Sequence, residues 1–436
     1  MVSFLSNTEN FRIWLPKKLQ KRFKDRFLEI SISKNGDKSV FISRINKDGR
    51  IVIPKQYRNA INIDRIDVLE VKIKKLNNPK RNENHFDGQA FDMLNFIPKN
   101  TLSGYPVLMK EEDDKIYVWY SAKGRPNGFT LNKHIPMDFA RLLGYYQAEG
   151  TKQKLVKRRG RTFSFTNKNL KICQDFISLA GLLFDKRLLK ASIRHNPLTT
   201  KGELDSVTQC LQLSGIQRAS IKHKPSQKIS KYTITIWISN SILAETVQNM
   251  MNITRCMIAM NDKIVCKSFL QGLIAGDGCF ASYIDRKGSQ HCKLQLFDAN
   301  EKYVNDYKNL LAKFDIDGKI KKDSRRNMSA FTSYIGWDNL LNLNNLKLLQ
   351  YTIHNEKLTT SIKNHKRYRS LKLLTNLPDK FYRNVNLSGK GRGYKNSWLR
   401  DRTVEGVLLR IDEKDKTFWI ITNKGKYYRE SVKGLG

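Results

Sequence analysis

The sequence predicts an α+β chain. A unit of helix, hairpin and helix is duplicated, preceded by a small β-rich domain and followed by a basic extension that ends in strands. Three observations predict it. The segments 143–150 (LGYYQAEG) and 271–278 (QGLIAGDG) align without a gap, 128 positions apart. A shorter repeat recurs at 38 positions, from Arg12-Ile13-Trp14-Leu15-Pro16-Lys17 to Arg50-Ile51-Val52-Ile53-Pro54-Lys55. The 436 residues include 80 Lys and Arg against 40 Asp and Glu, a formal charge of +40, with 40% hydrophobic residues. That is apolar enough for a packed core, and the basic surplus points to a polyanionic partner.

Residues 1–75 read as two copies of strand, Pro-Lys, helical turn and strand, at 12–32 and 50–73. One copy is too small to bury its own apolar face, whereas two packed together can. Residues 76–136 read as linker and β segments. The polar stretch KKLNNPKRNENHFDGQAF is the linker, strand-like runs follow at 105–110 and 115–120, GRPNGF makes a turn, and HIPMDF leads into a helix.

The larger repeat then occupies 137–260 and 261–365. Each half opens with an apolar helix ending in an acid and a glycine. A basic hairpin follows (154–165 and 280–297), then an amphipathic helix (169–184 and 300–314), further strands and a terminal helix. The first half carries an insertion near 196–230 that has no counterpart in the second. Residues 366–436 form a basic extension with Tyr368, Phe381, Tyr382, Tyr394 and Trp398 among its Lys and Arg. Its tail alternates as two or three strands.

Several classes are excluded. No apolar run approaches the ~18 residues of a spanning helix. The opening MVSFLSNTENFRIWL has no basic region followed by a long apolar stretch, so no secretory signal is expected. The six Cys include no CxxC pair, which argues against a zinc ribbon or a disulfide framework and for reduced thiols in a cytoplasmic protein. The seven His show no metal-ligand spacing.

The chemistry lies in the 128-position repeat. Gly144 and Ala148, like Gly272 and Gly276, recur at a spacing of four and share one helix face. Small residues there let two backbones approach closely. If the two helices pack together, Glu149 and Asp277 converge, and adjacent carboxylates call for a cation between them. A hard divalent ion is expected, Mg²⁺ with Mn²⁺ as substitute. A single G-x-x-x-[DE]-G reads equally well as a glycine-capped helix end; two copies, each followed by a basic hairpin, do not.

These residues resemble the LAGLIDADG homing endonucleases in their single-chain, two-motif form. The resemblance implies two pseudo-symmetric αββαββα halves whose saddle-shaped antiparallel sheets sit on DNA. It implies that Glu149 and Asp277 bind metal and activate water, with the carbonyls of Ala148 and Gly276 completing the shell. It also implies a basic partner in each site: Lys152 and the pair Asn167-Lys168 match in the first half. In the second half Asp298-Ala299 departs from the pattern, so unequal cutting of the two strands is expected.

The segment 43–55 resembles the AbrB/MazE-like swapped-hairpin DNA-binding fold, with Asp48-Gly49 as the hairpin turn. That fold is normally a dimer of short chains, and the copy at 12–32 stands for the second protomer. Expected DNA contacts are Arg158, Arg159, Arg161, Arg194, Lys293, Arg325 and Arg326, with Arg50 and Lys55 in the N-terminal domain. The expected activity is site-specific hydrolysis of double-stranded DNA at a long site, by a monomer in the cytoplasm, associated with the nucleoid. An RNA maturase or a transcriptional regulator would use the same basic surfaces, and the sequence does not separate an RNA partner from a DNA one.

Overall fold

The computed structural model describes the chain except residues 1, 24–26, 47, 76–77, 82–84, 88–89, 102–105, 123–124, 151–161, 285–289, 324–327, 336, 353, 365–383, 389–402, 413–416, 423–426 and 432–436; beyond 384 it describes backbone only. The chain divides into two compact units, Met1–Gly276 and Asp277–Gly436.

The N-terminal domain is one six-stranded sheet. It contains β1 (Val2–Glu9), β2 (Arg12–Trp14), α1 (Lys17–Arg22), β3 (Phe27–Lys34), β4 (Asp37–Arg44), β5 (Arg50–Val52), α2 (Lys55–Ala60) and β6 (Val68–Lys75). The strand order β4-β3-β6-β1-β2-β5 interleaves the two copies, with β6 of the second between β1 and β3 of the first. β2 and β5 pair antiparallel with Ile13 opposite Ile51. The Leu15 N–H donates to the Gly49 carbonyl at 3.4 Å and the Ile53 N–H to the Phe11 carbonyl at 3.0 Å, the same bond made twice, one repeat apart. Ile13, Leu15 and Phe23 meet their counterparts Ile51, Ile53 and Ile61 in one core, joined by Leu28, Ile30, Ile32 and Leu69, Val71, Ile73. Neither copy could close this core alone. The hairpin turns differ: Gly49 takes a φ of 76°, while the first copy places Asn10 and Phe11 at φ 51° and 62°. A bulky residue is strained there, and the Arg58 guanidinium stacks 4.2 Å above the Phe11 ring.

Next come β7 (Phe86–Asp87), β8 (Ala90–Asp92), β9 (Leu108–Glu112), β10 (Lys115–Ala122), β11 (Arg125–Asn132) and β12 (His134–Pro136), in two three-stranded sheets. Two expectations are corrected here. The polar stretch read as linker ends in core: Phe91, Met93, Leu94, Phe96 and Ile97 are all buried, and the Asp92 carboxylate starts a 3-10 turn by accepting the Leu94 N–H at 3.1 Å. Arg125–Phe129 of GRPNGF are not a turn but part of β11, in which Gly128 lies opposite Trp119. A side chain at Gly128 would begin 3.1 Å from the Trp119 ring, so the glycine marks a close approach.

The first half contains α3 (Ala140–Glu149), β13 (Phe163–Asn167), α4 (Leu170–Leu183), β14 (Lys190–His195), α5 (Lys201–Leu213), β15 (Ile221–Pro225), β16 (Tyr232–Ile238) and α6 (Ser241–Ile253). Its sheet order is β13-β16-β14-β15. Phe163, Phe165, Ile234, Ile236, Ala191 and Ile193 form the buried face, packed against α3, α4 and α6. The insertion near 196–230 is α5 and β15: it crosses over from β14 and returns parallel to it. A π-turn (Thr254–Ile258) and one helical turn, α7 (Ala259–Asn261), lead into α8 (Lys263–Asp277).

In the second unit β17 (Cys279–Ile284), β18 (Gln290–Asp298), α9 (Glu301–Ala312), β19 (Lys319–Asp323) and β20 (Met328–Ile335) precede α10 (Trp337–Asn345) and α11 (Asn355–Asn364). The sheet order is β17-β18-β20-β19. β13, β16 and β14 of the first half correspond to β18, β20 and β19 here, so β15 is an addition. Val304, Tyr307, Leu310 and Leu311 of α9 are buried, as are Phe280, Leu294, Leu296 and Phe331 of the sheet. The tail carries three strands, β22 (Thr403–Asp412), β23 (Thr417–Thr422) and β24 (Tyr427–Ser431), and β21 (Asn384–Ser388), from the basic stretch before it, completes a four-stranded sheet. Among the described residues no helix is long and apolar enough to cross a membrane.

Candidate functional site

The two repeat motifs end helices α3 and α8. Up to Gly276 these helices lie in the first unit, and their small residues meet reciprocally. A methyl group on Gly144 would collide with the Phe269 carbonyl and lie 2.6 Å from the Leu273 nitrogen. One on Gly272 would collide with the Arg141 carbonyl and lie 2.8 Å from the Tyr145 nitrogen. Arg141 and Phe269 are themselves one repeat apart, so the contact has local two-fold symmetry. Farther along, a side chain on Gly276 would overlap the Ala148 methyl and reach the Glu149 Cγ at 3.4 Å. The spacing-four glycines therefore serve backbone contact.

Polar anchors fix α3 within this packing. The Arg141 guanidinium donates to both Asp175 oxygens, at 2.7 and 2.9 Å, and the Tyr145 hydroxyl donates to the same carboxylate at 2.8 Å. At the far end of α3, buried Arg255 donates to the Gln147 side-chain oxygen at 2.5 Å. Sequence reasoning missed Arg255. It lies 108 residues from its partner, in a π-turn with no sequence signature.

Glu149 ends α3. Gly150 then pairs with Phe165 as an antiparallel bridge, which aims the helix end at β13. Burial, joined by the charge of Glu149, pushes the Cys173 thiol up, and the Cys173 Sγ donates to the Asn167 carbonyl at 3.9 Å. Glu149 and Asn167 thus share one neighbourhood around Cys173. Lys168, the next residue, is exposed. Lys152, Arg158, Arg159 and Arg161 lie outside the described residues, as do Arg325, Arg326 and the aromatic residues named in the extension.

In the second unit Asp277 ends α8. The His354 ring donates to the Gly278 backbone, and burial, then the Lys357 charge, holds its pKa below the ordinary 6.5. His354 precedes α11, and only the fold brings its ring to the residue that follows Asp277. Asp298 needs correction. It is not an outward-facing charge that sets the two halves apart: it is buried, accepts the Tyr307 hydroxyl at 2.9 Å and accepts the Asn300 N–H at 2.8 Å.

The sheets carry the remaining candidates. Arg194 is exposed on β14. Lys293 is half-buried on the face of β18 that also holds His291 and Gln295. Lys55 is exposed at the start of α2. Arg50 is engaged: its guanidinium sits 3.7 Å over the Trp14 ring, within 3.6 Å of Asp48 and 3.8 Å of Glu9.

Among the described residues no cluster of three or more His, Cys, Asp or Glu is placed to hold a metal. What each helix end does offer is a carboxylate and the main-chain carbonyl before it: Glu149 with Ala148, and Asp277 with Gly276. Carbonyls in the last helical turn lack intrahelical partners. This all-oxygen set fits a hard divalent ion and not a soft one.

Residues 265–370, which span most of the second half-repeat, match the family model of the LAGLIDADG-like domain. Solved structures similar to the chain include I-DmoI in complex with DNA and Mn, 16% identical over 48% of this chain and 96% of that one, TM-score 0.30. Another is the LAGLIDADG homing endonuclease I-GzeII in complex with its DNA target, 10% identical over 56% and 94%, TM-score 0.28. A Pyrococcus horikoshii protein solved in solution is 25% identical over 18% of this chain and 95% of its own, TM-score 0.16. No curated protein matches the chain.

Proposed function

We propose that the protein is a site-specific DNA endonuclease that cuts both strands of a long recognition site with the help of a divalent metal ion. The observation that carries the reading is the reciprocal Gly144–Gly272 helix contact. It belongs to a duplicated motif that ends in Glu149 in one copy and in Asp277, within the LAGLIDADG-like domain, in the other. The +40 charge supports a nucleic-acid partner.

On this reading Glu149 with the Ala148 carbonyl, and Asp277 with the Gly276 carbonyl, hold the metal. The metal, Mg²⁺ or Mn²⁺, supplies an activated water and stabilises the leaving oxygen. The chain's own groups do the rest. The glycine contact and the Arg141–Asp175 pair hold α3 rigid, Lys168 offers a positive charge near the first acid, and exposed Lys and Arg on the sheets take phosphates and bases. The interleaved N-terminal domain is a fused AbrB-like pseudo-dimer that adds DNA affinity through residues such as Lys55.

The test is selection from a pool of duplexes with a randomised region of about 30 base pairs. Incubation with Mg²⁺ followed by capture of cut ends should enrich one long sequence. A pool left uncut, or enrichment of RNA alone in a parallel binding selection, would overturn the reading.

A further inference from the structure

The insertion in the first half is a built extension of its sheet. β15 lies parallel to β14, with Ser192 opposite Lys222 and Arg194 opposite Lys224. Paired residues point to the same side of a sheet, so Lys222 and Lys224 continue the row that holds Lys190, Ser192 and Arg194. Across β14 that row runs on through Thr233, Thr235 and Trp237 of β16. Lys190, Arg194, Lys222 and Lys224 are exposed, and none of the four is paired with a carboxylate among the described residues.

On the opposite side of β15, His223 reaches toward α5 while staying exposed itself. The His223 Nε2 lies 3.2 Å from the Thr208 hydroxyl of α5, His223 meets the His195 ring edge-on at 6.1 Å, and Val207 and Leu211 of α5 are buried. The inserted helix thus covers the apolar layer and leaves the basic face bare. Among the described residues of the second unit the sheet ends at β19, without such a strand.

We infer that β15 is an added DNA-docking strand: Lys222 and Lys224 take two backbone phosphates of duplex DNA beyond those reached from β14. This rests on the endonuclease reading and assigns its first half a longer footprint than its second. One strand spacing, about 4.8 Å, against a rise of about 3.4 Å per base pair, adds one to two base pairs. Charged edge strands also serve simply to block sheet-to-sheet association, and the experiment separates that role from docking.

Binding of the full chain to a labelled 40-base-pair mixed-sequence duplex is measured across salt concentrations. The comparison is wild type, Lys222→Ala/Lys224→Ala, and Lys201→Ala on the covering helix. Loss of two phosphate contacts should make the slope of log K against log [salt] shallower by about 1.8, and weaken binding about 60-fold at 0.1 M salt. Lys201→Ala should leave the slope unchanged, and both variants should melt as wild type does. A steep wild-type slope that the double variant shares would overturn the docking role alone. A wild-type slope near zero would overturn the nucleic-acid reading and this inference with it.

Discussion

Asn167 and Asp298 end their strands in the same way. Each side-chain oxygen accepts the backbone N–H two residues on, at 2.8 Å in both halves, and the residue so held, Asn169 or Asn300, caps the next helix. The amide and the acid are thus one structural device. The asymmetry that the sequence located at Asp298 passes to the following residue, Lys168 in one half and Ala299 in the other.

Asp298→Asn should preserve this turn and leave cleavage unchanged: the amide oxygen still accepts the Asn300 N–H, and the new N–H can donate to the Tyr307 hydroxyl, which turns from donor to acceptor. Asp298→Ala should destabilise the second unit by about 1–3 kcal/mol, leaving the Tyr307 hydroxyl and the Asn300 amide unpartnered. Urea titration of both variants measures the difference. An acidic role for Asp298 would show as lost cleavage in the Asn variant.

Gly144→Ala and Gly272→Ala each drive a methyl group into a carbonyl oxygen of the facing helix. Each should destabilise the protein by about 1–3 kcal/mol or more. Gly202→Ala, in α5 with no atom within 4 Å of the added methyl, should be neutral or slightly stabilising. Thermal melts compare the three.

Removing Arg141 strands the Asp175 carboxylate at a site where the two side chains are only 10% and 19% exposed. Arg141→Met should destabilise by about 3–5 kcal/mol, and Arg141→Met/Asp175→Leu by less than that. A double variant no better than the single would show that the pair is not energetically coupled.

His354 adds a pH dependence. Its folded pKa lies below the ordinary 6.5, so the unfolded chain takes up the proton first as pH falls. Stability above 6.5 is then independent of this group, and it declines as pH drops below that value toward the folded pKa. His354→Asn should flatten this decline in denaturant midpoints measured from pH 7.5 to 5.

The glycine spacing was legible because backbone contact admits few residue types, and the 38-position repeat because both copies bury the same pattern. Three features were not legible, each for a physical reason. Asn167 matches a catalytic amide pattern and a helix lead-in alike, and its bond to the Asn169 N–H becomes visible only in the fold. β15 reads as IKHKP, a basic loop, because parallel pairing through a helical crossover leaves no local turn signature. The first hairpin turn escaped because Asn10-Phe11 takes the left-handed conformation without a glycine.

The central claim is that Glu149 and Asp277 cut DNA. Its most direct test is cleavage and binding of the selected duplex by Glu149→Gln and Asp277→Asn, singly and together. Both substitutions keep shape and remove charge. The account predicts that the double variant loses double-strand cutting by orders of magnitude in Mg²⁺ while binding the same duplex in Ca²⁺ as wild type does. Each single variant should nick a supercoiled plasmid carrying the site. A double variant that still linearises the plasmid at the wild-type rate would contradict it.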